Sequence, residues 1–119
     1  MKSKIFLLVD LGYAFDYFAI LEIKNKRGIL AEKIFNNIKT NLINEIGSTN
    51  FTEITLSNEY KNLVQANEKT FEAVEKARYG NITAKEVDDC NMERYNAKIA
   101  LQKRFISCNN ENSIIEVKT

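Results

Sequence analysis

Histidine, proline and tryptophan are absent from this 119-residue chain, cysteine occurs twice and glycine four times. Without histidine, the chain lacks the commonest general base and one of the main zinc ligands. Serine and cysteine nucleophiles that are activated by histidine are therefore excluded within one chain. Two cysteines are too few for a cysteine-based zinc site, and the glycines never cluster into a phosphate-binding loop. These absences disfavour the familiar hydrolytic and redox chemistries.

The two cysteines, Cys90 and Cys108, are not expected to form a disulfide. If both lie on one helix, as argued below, the helical rise separates them by ~27 Å, whereas a disulfide needs Cα atoms within ~7 Å. Free buried thiols in a reducing compartment are the simpler interpretation. The apolar run from Ile5 to Val9 is shorter than the core of a signal peptide, and no stretch is long enough for a membrane span. We therefore expect a cytoplasmic protein without membrane contact.

The net charge is close to zero, with 17 basic and 16 acidic residues giving +1. Binding to duplex nucleic acid requires a concentrated excess of lysine and arginine, which neutralise phosphates. That excess is missing, so nucleic acid is not an expected partner. The length predicts a single domain spanning residues 1–119.

Apolar residues at helical spacing predict a first helix over residues 11–46. Gly28 lies near the middle of this pattern. An unbroken helix of this length would extend about 53 Å, too long for a compact domain. Either the helix breaks near Gly28 or the molecule is elongated. We favour an elongated molecule, because proline is absent and one glycine costs a helix only ~1 kcal/mol.

Two further helices are predicted, over residues 57–79 and 84–107. Gly80 ends the first of them, and Thr83 with Glu86 forms a capping box at the start of the second. Residues 51–56 are either extended or the first turn of a helix. Short strands are predicted near both ends, around residues 5–9 and 114–117, pairing with each other or with a symmetry mate. The expected fold is mainly α, an antiparallel helical hairpin or bundle of about three helices.

The first helix carries apolar side chains on more than one face. Tyr13, Phe15, Tyr17 and Phe18 together cover nearly its whole circumference. Such a helix must be covered on more than one face, so a core plus an interface explains these residues better than a stacking platform for nucleic-acid bases. We therefore expect a homo-oligomer, with a dimer as the favoured state, formed through the first helix.

The stretch from Gly12 to Lys24, GYAFDYFAILEIK, followed by Arg27, resembles the opening of a family of small bacterial and phage proteins, the domain-of-unknown-function family numbered six-one-six-five. A second block is similar to the later helices of that family: residues 67–78, Asn91, Arg94 and Lys98. The chain differs from the family pattern at Tyr13 and Met92, where the family favours glutamate and aspartate. The resemblance implies a helical fold and no assigned activity. A phage source would make a host or phage protein a reasonable partner.

Six charged residues are candidates for a ligand site or for structural ion pairs: Asp16, Glu22, Lys24, Arg27, Arg94 and Lys98. Asp16 lies within an aromatic run, and a buried carboxylate needs a partner. Arg94 or Lys98 from the last helix could supply it. We expect a structural ion pair, with a polar ligand pocket as the alternative. Glu22 and Lys26 have the spacing of an i,i+4 ion pair.

Two pairs of carboxylates permit a catalytic interpretation: Glu72 with Glu75, and Glu86 with Asp89. Carboxylates at i and i+3 share a helical face, and two such pairs on adjacent antiparallel helices could hold Mg²⁺. This pattern resembles the metal motif of the all-α nucleoside triphosphate pyrophosphohydrolases. Solvent-exposed carboxylates, with Glu86 in the cap of its helix, are the simpler interpretation.

The function that we expect from the sequence is that of a structural or protein-interaction module that self-associates and carries no cofactor. The alternative is a Mg²⁺-dependent pyrophosphohydrolase. A regulatory binder of a host protein is a third hypothesis.

Overall fold

Residues 6–105 and 114–118 are described by a computed structural model of the chain. Within these ranges the order of elements is β1 (Phe6–Asp10), α1 (Leu11–Lys26), α2 (Glu32–Ile46), α3 (Ser48–Thr55), α4 (Asn58–Arg78), α5 (Ala84–Phe105) and β2 (Ile114–Lys118). The mainly helical class is confirmed. The prediction of about three helices is inexact, because residues 11–46 form two helices and α3 is additional.

The first predicted helix breaks at Gly28. This glycine has φ +73°, in the left-handed region where a residue with a Cβ atom is strained. The amide of Ile29 donates to the carbonyl of Lys24 and the amide of Gly28 to that of Asn25, at 2.9 and 3.1 Å. These two bonds satisfy the last carbonyls of α1 in the arrangement known as a Schellman motif. The chain then turns, and α2 begins at Glu32.

The molecule is compact, so the prediction of an elongated shape is wrong. The radius of gyration is 15.3 Å, and the extents along the principal axes are 43, 37 and 29 Å. The turn at Gly28 allows Phe35 of α2 to stack on Phe18 of α1, with ring centroids 5.3 Å apart, and places Leu42 in the core. Burial of these large apolar groups outweighs the continuity of one long helix.

The last two predicted helices are present as α4 and α5, which pack against each other. A second Schellman motif ends α4, where Gly80 has φ +71° and the amide of Asn81 donates to the carbonyl of Lys76 at 3.0 Å. Thr83 accepts a hydrogen bond from the amide of Glu86 at 3.2 Å and so caps α5 as predicted. The predicted extension of this helix beyond residue 105, and Cys108 with it, lies outside the described residues.

The two strands pair with each other in antiparallel register, from Phe6 opposite Lys118 to Asp10 opposite Ile114. β1 runs directly into α1, and the carboxylate of Asp10 accepts a hydrogen bond from the amide of Tyr13 at 2.6 Å. This bond caps the first turn of α1. The strands therefore fix where α1 begins.

The core forms around α1. Phe15 and Phe18 lie within 6.3 Å, centroid to centroid, of the rings of Phe51 from α3 and Tyr60 from α4. Residues 51–56, which the sequence left open between strand and helix, belong mostly to α3. Leu101 of α5 closes the core from the other side and is fully buried. No helix in the described ranges is both long enough and apolar enough to cross a membrane.

Candidate functional site

A buried polar cluster joins α1 to α4 and α5. Arg94 donates two hydrogen bonds to Asp16, from Nε to Oδ1 at 3.1 Å and from Nη2 to Oδ2 at 2.8 Å. Asn67 of α4 donates from Nδ2 to Asp16 Oδ1 and to the carbonyl oxygen of Leu63, both at 3.0 Å. The bond to Asp16 raises the pKa of Arg94 although burial acts to lower it. The predicted ion pair is present, and its cation is Arg94 rather than Lys98.

The cluster around Asp16 is closed. Among the described residues, every buried side-chain nitrogen and oxygen has a hydrogen-bond partner. The side chain of Asp16 is only 10% exposed. Since its two oxygens already accept three hydrogen bonds, the arrangement favours a structural ion pair over the polar ligand pocket.

Glu22 has a different partner from the one that its spacing suggests. It accepts a hydrogen bond from the hydroxyl of Tyr60 at 3.1 Å, and the ion pairs of the described residues do not include one with Lys26. Burial of the phenol, together with the nearby carboxylate, raises the pKa of Tyr60 well above its usual value. Glu22 therefore fixes α1 against α4, and the predicted i,i+4 pair is wrong because a buried hydroxyl competes for the same carboxylate.

The other charged candidates do not gather at one place. The Arg27 guanidinium lies over the ring of Phe71, 5.4 Å from its centroid, and Lys98 Nζ lies at the same distance from the centroid of Tyr95. Lys24 is half-buried near the end of α1. The six residues singled out by charge are thus divided among several separate contacts.

Gly12 brings α1 and α5 into close contact. Its amide donates to Gln102 Oε1, and a Cβ atom at this position would lie only 3.2 Å from the carbonyl oxygen of Lys98. Asp16, one turn further along α1, meets Arg94, one turn earlier on α5. Gly12 and Asp16 therefore both contribute to the contact between α1 and α5. Their contacts show that the two helices run antiparallel.

The acidic residues of the catalytic interpretation are all exposed: Glu72, Glu75, Glu86 and Asp89. The first two lie on α4 and the last two on α5. In the part of the chain that the structure describes, no three or more histidine, cysteine or carboxylate side chains are grouped so as to hold a metal ion. The Mg²⁺-dependent activity stays a prediction, with no geometry in its favour.

One stripe of side chains on α1 remains uncovered. Tyr13 and Tyr17 are 52% and 48% exposed, in contrast to the buried residues on either side of them. Ile20 and Lys24 continue the stripe and are half-buried. The spacing i, i+4, i+7 and i+11 places these four residues on one face of the helix.

A second stripe with the same spacing lies on α5. It consists of Asp88, Met92, Tyr95 and Ile99, again at i, i+4, i+7 and i+11. Met92 and Tyr95 are 59% and 53% exposed, Asp88 is exposed and Ile99 is half-buried. The sequence interpretation did not recognise this stripe as a separate face of the last helix. Its signal was available in the same three-and-four spacing.

The two stripes lie on the same side of the α1–α5 pair. Successive residues of a right-handed helix are turned by about 100°, and in antiparallel neighbours the residues that follow the contact positions turn to the same side. The contact positions are Gly12 and Asp16 on α1 and Arg94 and Lys98 on α5. Each is followed directly in the sequence by a member of a stripe: Tyr13, Tyr17, Tyr95 and Ile99.

α4 occupies the opposite side of the same pair. The residues that precede the ion-pair partners point towards it: Phe15 packs on Tyr60, and Glu93 pairs with Lys69 at 3.4 Å. The eight residues of the two stripes therefore form one surface that faces away from α4. We call this surface the α1–α5 face.

Comparison of the chain with protein-family models, with curated proteins and with solved structures finds no match in any of the three. The physical properties of the α1–α5 face are therefore the basis for a functional assignment.

Proposed function

We propose that this chain is a protein-interaction module that self-associates through the α1–α5 face. The observation that carries the proposal is that Tyr13, Tyr17, Tyr95 and Met92 all stay about half exposed on one side of two adjacent helices. Single exposed apolar residues are normal on a protein surface, whereas a contiguous group of them marks an interaction site.

The chemistry of the face suits a protein partner. Three of the five tyrosines of the chain lie on it. A tyrosine ring buries a large area with few rotatable bonds, and its hydroxyl retains a hydrogen bond at a partly wet interface. Tyrosine is accordingly among the residues that contribute most to binding energy at interfaces. The face carries charge only at Lys24 and Asp88, so its centre can be desolvated at low cost.

The face is also held rigid before any partner binds. Two hydrogen bonds between Arg94 and Asp16 and the close contact at Gly12 fix α1 against α5. A surface on two rigid helices loses little conformational entropy when it docks. The buried polar cluster thus holds the two helices of the α1–α5 face in fixed positions.

The test is replacement of Tyr17 at the centre of the face by glutamate. Wild-type protein is expected to double in mass as its concentration rises from about 5 to about 500 µM, because an interface of three helical turns is small and gives micromolar affinity. Tyr17→Glu is expected to stay monomeric, because the charge would be buried without a partner. Light scattering coupled to size-exclusion chromatography measures the mass.

Tyr79→Glu is the matched control. Tyr79 is 75% exposed and follows the last turn of α4, away from the α1–α5 face, so this variant should dimerise like the wild type. Circular dichroism melts of both variants verify that the fold is kept. A monomeric wild type throughout the concentration range, or a dimeric Tyr17→Glu protein, would refute the proposal.

A further inference from the structure

We infer that the α1–α5 face binds the same face of a second copy with each α1 lying over the partner's α5, so that Lys24 pairs with the partner's Asp88. The inference rests on the proposed function and names the arrangement of the two chains. Two observations lead to it: the matching spacing of the two stripes, and the opposite charges at one end of the face.

The two stripes are built alike. Each has three apolar residues and one charged residue at intervals of four, three and four, which is the spacing of apolar seams in helical bundles. The charged member is Lys24 at the C-terminal end of the α1 stripe and Asp88 at the N-terminal end of the α5 stripe. Because α1 and α5 run antiparallel, these two ends lie at the same end of the face.

A two-fold axis parallel to the helices places both stripes of each chain against stripes of the partner. Such an axis lies between the two faces and places each α1 over the partner's α5 at the same level along the axis. The aromatic residues then meet apolar ones: Tyr17 meets the partner's Tyr95, and Ile20 meets the partner's Met92. At the end of the face, Lys24 meets the partner's Asp88, and the symmetry repeats this ion pair. The product is a four-helix arrangement of two layers, one from each chain, with two inter-chain ion pairs.

The other face-to-face arrangement is less favourable. An axis perpendicular to the helices would place α1 over the partner's α1 and bring Lys24 towards the partner's Asp10. The carboxylate of Asp10 already accepts the amide of Tyr13 at 2.6 Å as the cap of α1. The same register places Asp88, seven residues before Tyr95, opposite the partner's Gln102, which carries no charge. Lys24 and Asp88 take part in none of the three ion pairs of the described residues.

Charge reversal tests the arrangement. Lys24→Glu and Asp88→Lys are each expected to weaken the dimer roughly 10-fold, because every dimer loses two ion pairs and gains two like-charge contacts. The double variant restores opposite charges across the interface and is expected to dimerise within about twofold of the wild type. Sedimentation equilibrium gives the dissociation constants, and thermal melts confirm that each variant is folded.

Asp89→Lys is the matched control, because Asp89 is an exposed aspartate one position further along α5 and turned off the face. It should leave the dissociation constant unchanged. If the wild type dimerises but the double variant is no tighter than the single ones, the arrangement is wrong and the proposed function stands. If the wild type does not dimerise at any concentration, both are wrong.

Discussion

At the scale of single residues, the feature that organises the interior is one carboxylate. Asp16 lies in the most apolar helix of the chain, yet three hydrogen bonds from Arg94 and Asn67 satisfy it. A buried charge that is paired and hydrogen-bonded contributes little net stability, but removal of its partner leaves an uncompensated charge. Asp16 therefore acts chiefly by specifying how α1, α4 and α5 come together.

Replacement of Arg94 by alanine should lower the free energy of unfolding by about 2–3 kcal/mol, because Asp16 would lose two charge-assisted hydrogen bonds. The value lies at the low end for a buried pair because the Arg94 side chain is 31% exposed. Urea denaturation measures the change. Arg104→Ala is the control, since Arg104 pairs with Glu59 at the surface and its loss should matter little. Equal losses in the two variants would contradict the role given to Asp16.

At the scale of elements, the boundaries of the helices depend on different signals. The hairpin of α4 and α5 could be predicted because Gly80 and Thr83 act on their own neighbours in the sequence. The break at Gly28 could not, because a glycine within a helical pattern is compatible with both outcomes. The decision depends on the stacking of Phe18 on Phe35, a contact 17 positions apart that no local pattern contains.

The turn at Gly28 gives a direct test of this view. Gly28→Ala should destabilise the protein by about 1 kcal/mol, because φ +73° is unfavourable for a residue with a Cβ atom. A Cβ atom there would have no neighbour within 4 Å, so the loss comes from the backbone alone. Gly28→Asn should lose less, because asparagine tolerates the left-handed region. Chemical denaturation measures the free energy of unfolding of the two variants. An asparagine variant less stable than the alanine variant would contradict this explanation.

The candidate site was predictable to a similar extent. An aspartate within an aromatic run predicts that a cation pairs with it, and the last helix does supply that cation. The choice between Arg94 and Lys98 required the register of α1 against α5, which depends on the contact at Gly12. Tyr13 and Tyr17 stood out in the sequence, but that Tyr95 and Met92 lie beside them follows only from tertiary packing.

At the scale of the whole molecule, α1 is a central helix with one side left open. α4, α5, α2 and the strands all contact it, whereas the side bearing Tyr13 and Tyr17 stays exposed. Coverage of this side by a second copy stays a prediction. A second copy on the α1–α5 face would complete the cover.

The proposed dimerisation would make stability depend on concentration, because the partner would bind only the folded chain. We expect the thermal midpoint of the wild type to rise by roughly 3–5 °C when the protein concentration is raised about 100-fold. The midpoint of Tyr17→Glu should not move. Differential scanning calorimetry at several concentrations makes the measurement, and a wild-type midpoint independent of concentration would argue against a dimer.

The hydrogen atom that serves as the side chain of Gly12 has a consequence at the surface. Lys98 and Gln102 lie so close to this position that a Cβ atom there would be in tight contact with both. A methyl group there would require Lys98 to shift by a few tenths of an ångström, which would change the spacing of the two outward rows of side chains. If the chain dimerises through the α1–α5 face as proposed, such a shift would alter how the rows of two protomers fit together. In the proposed dimer, the absence of a side chain at Gly12 would therefore help to set the fit of the outer surface.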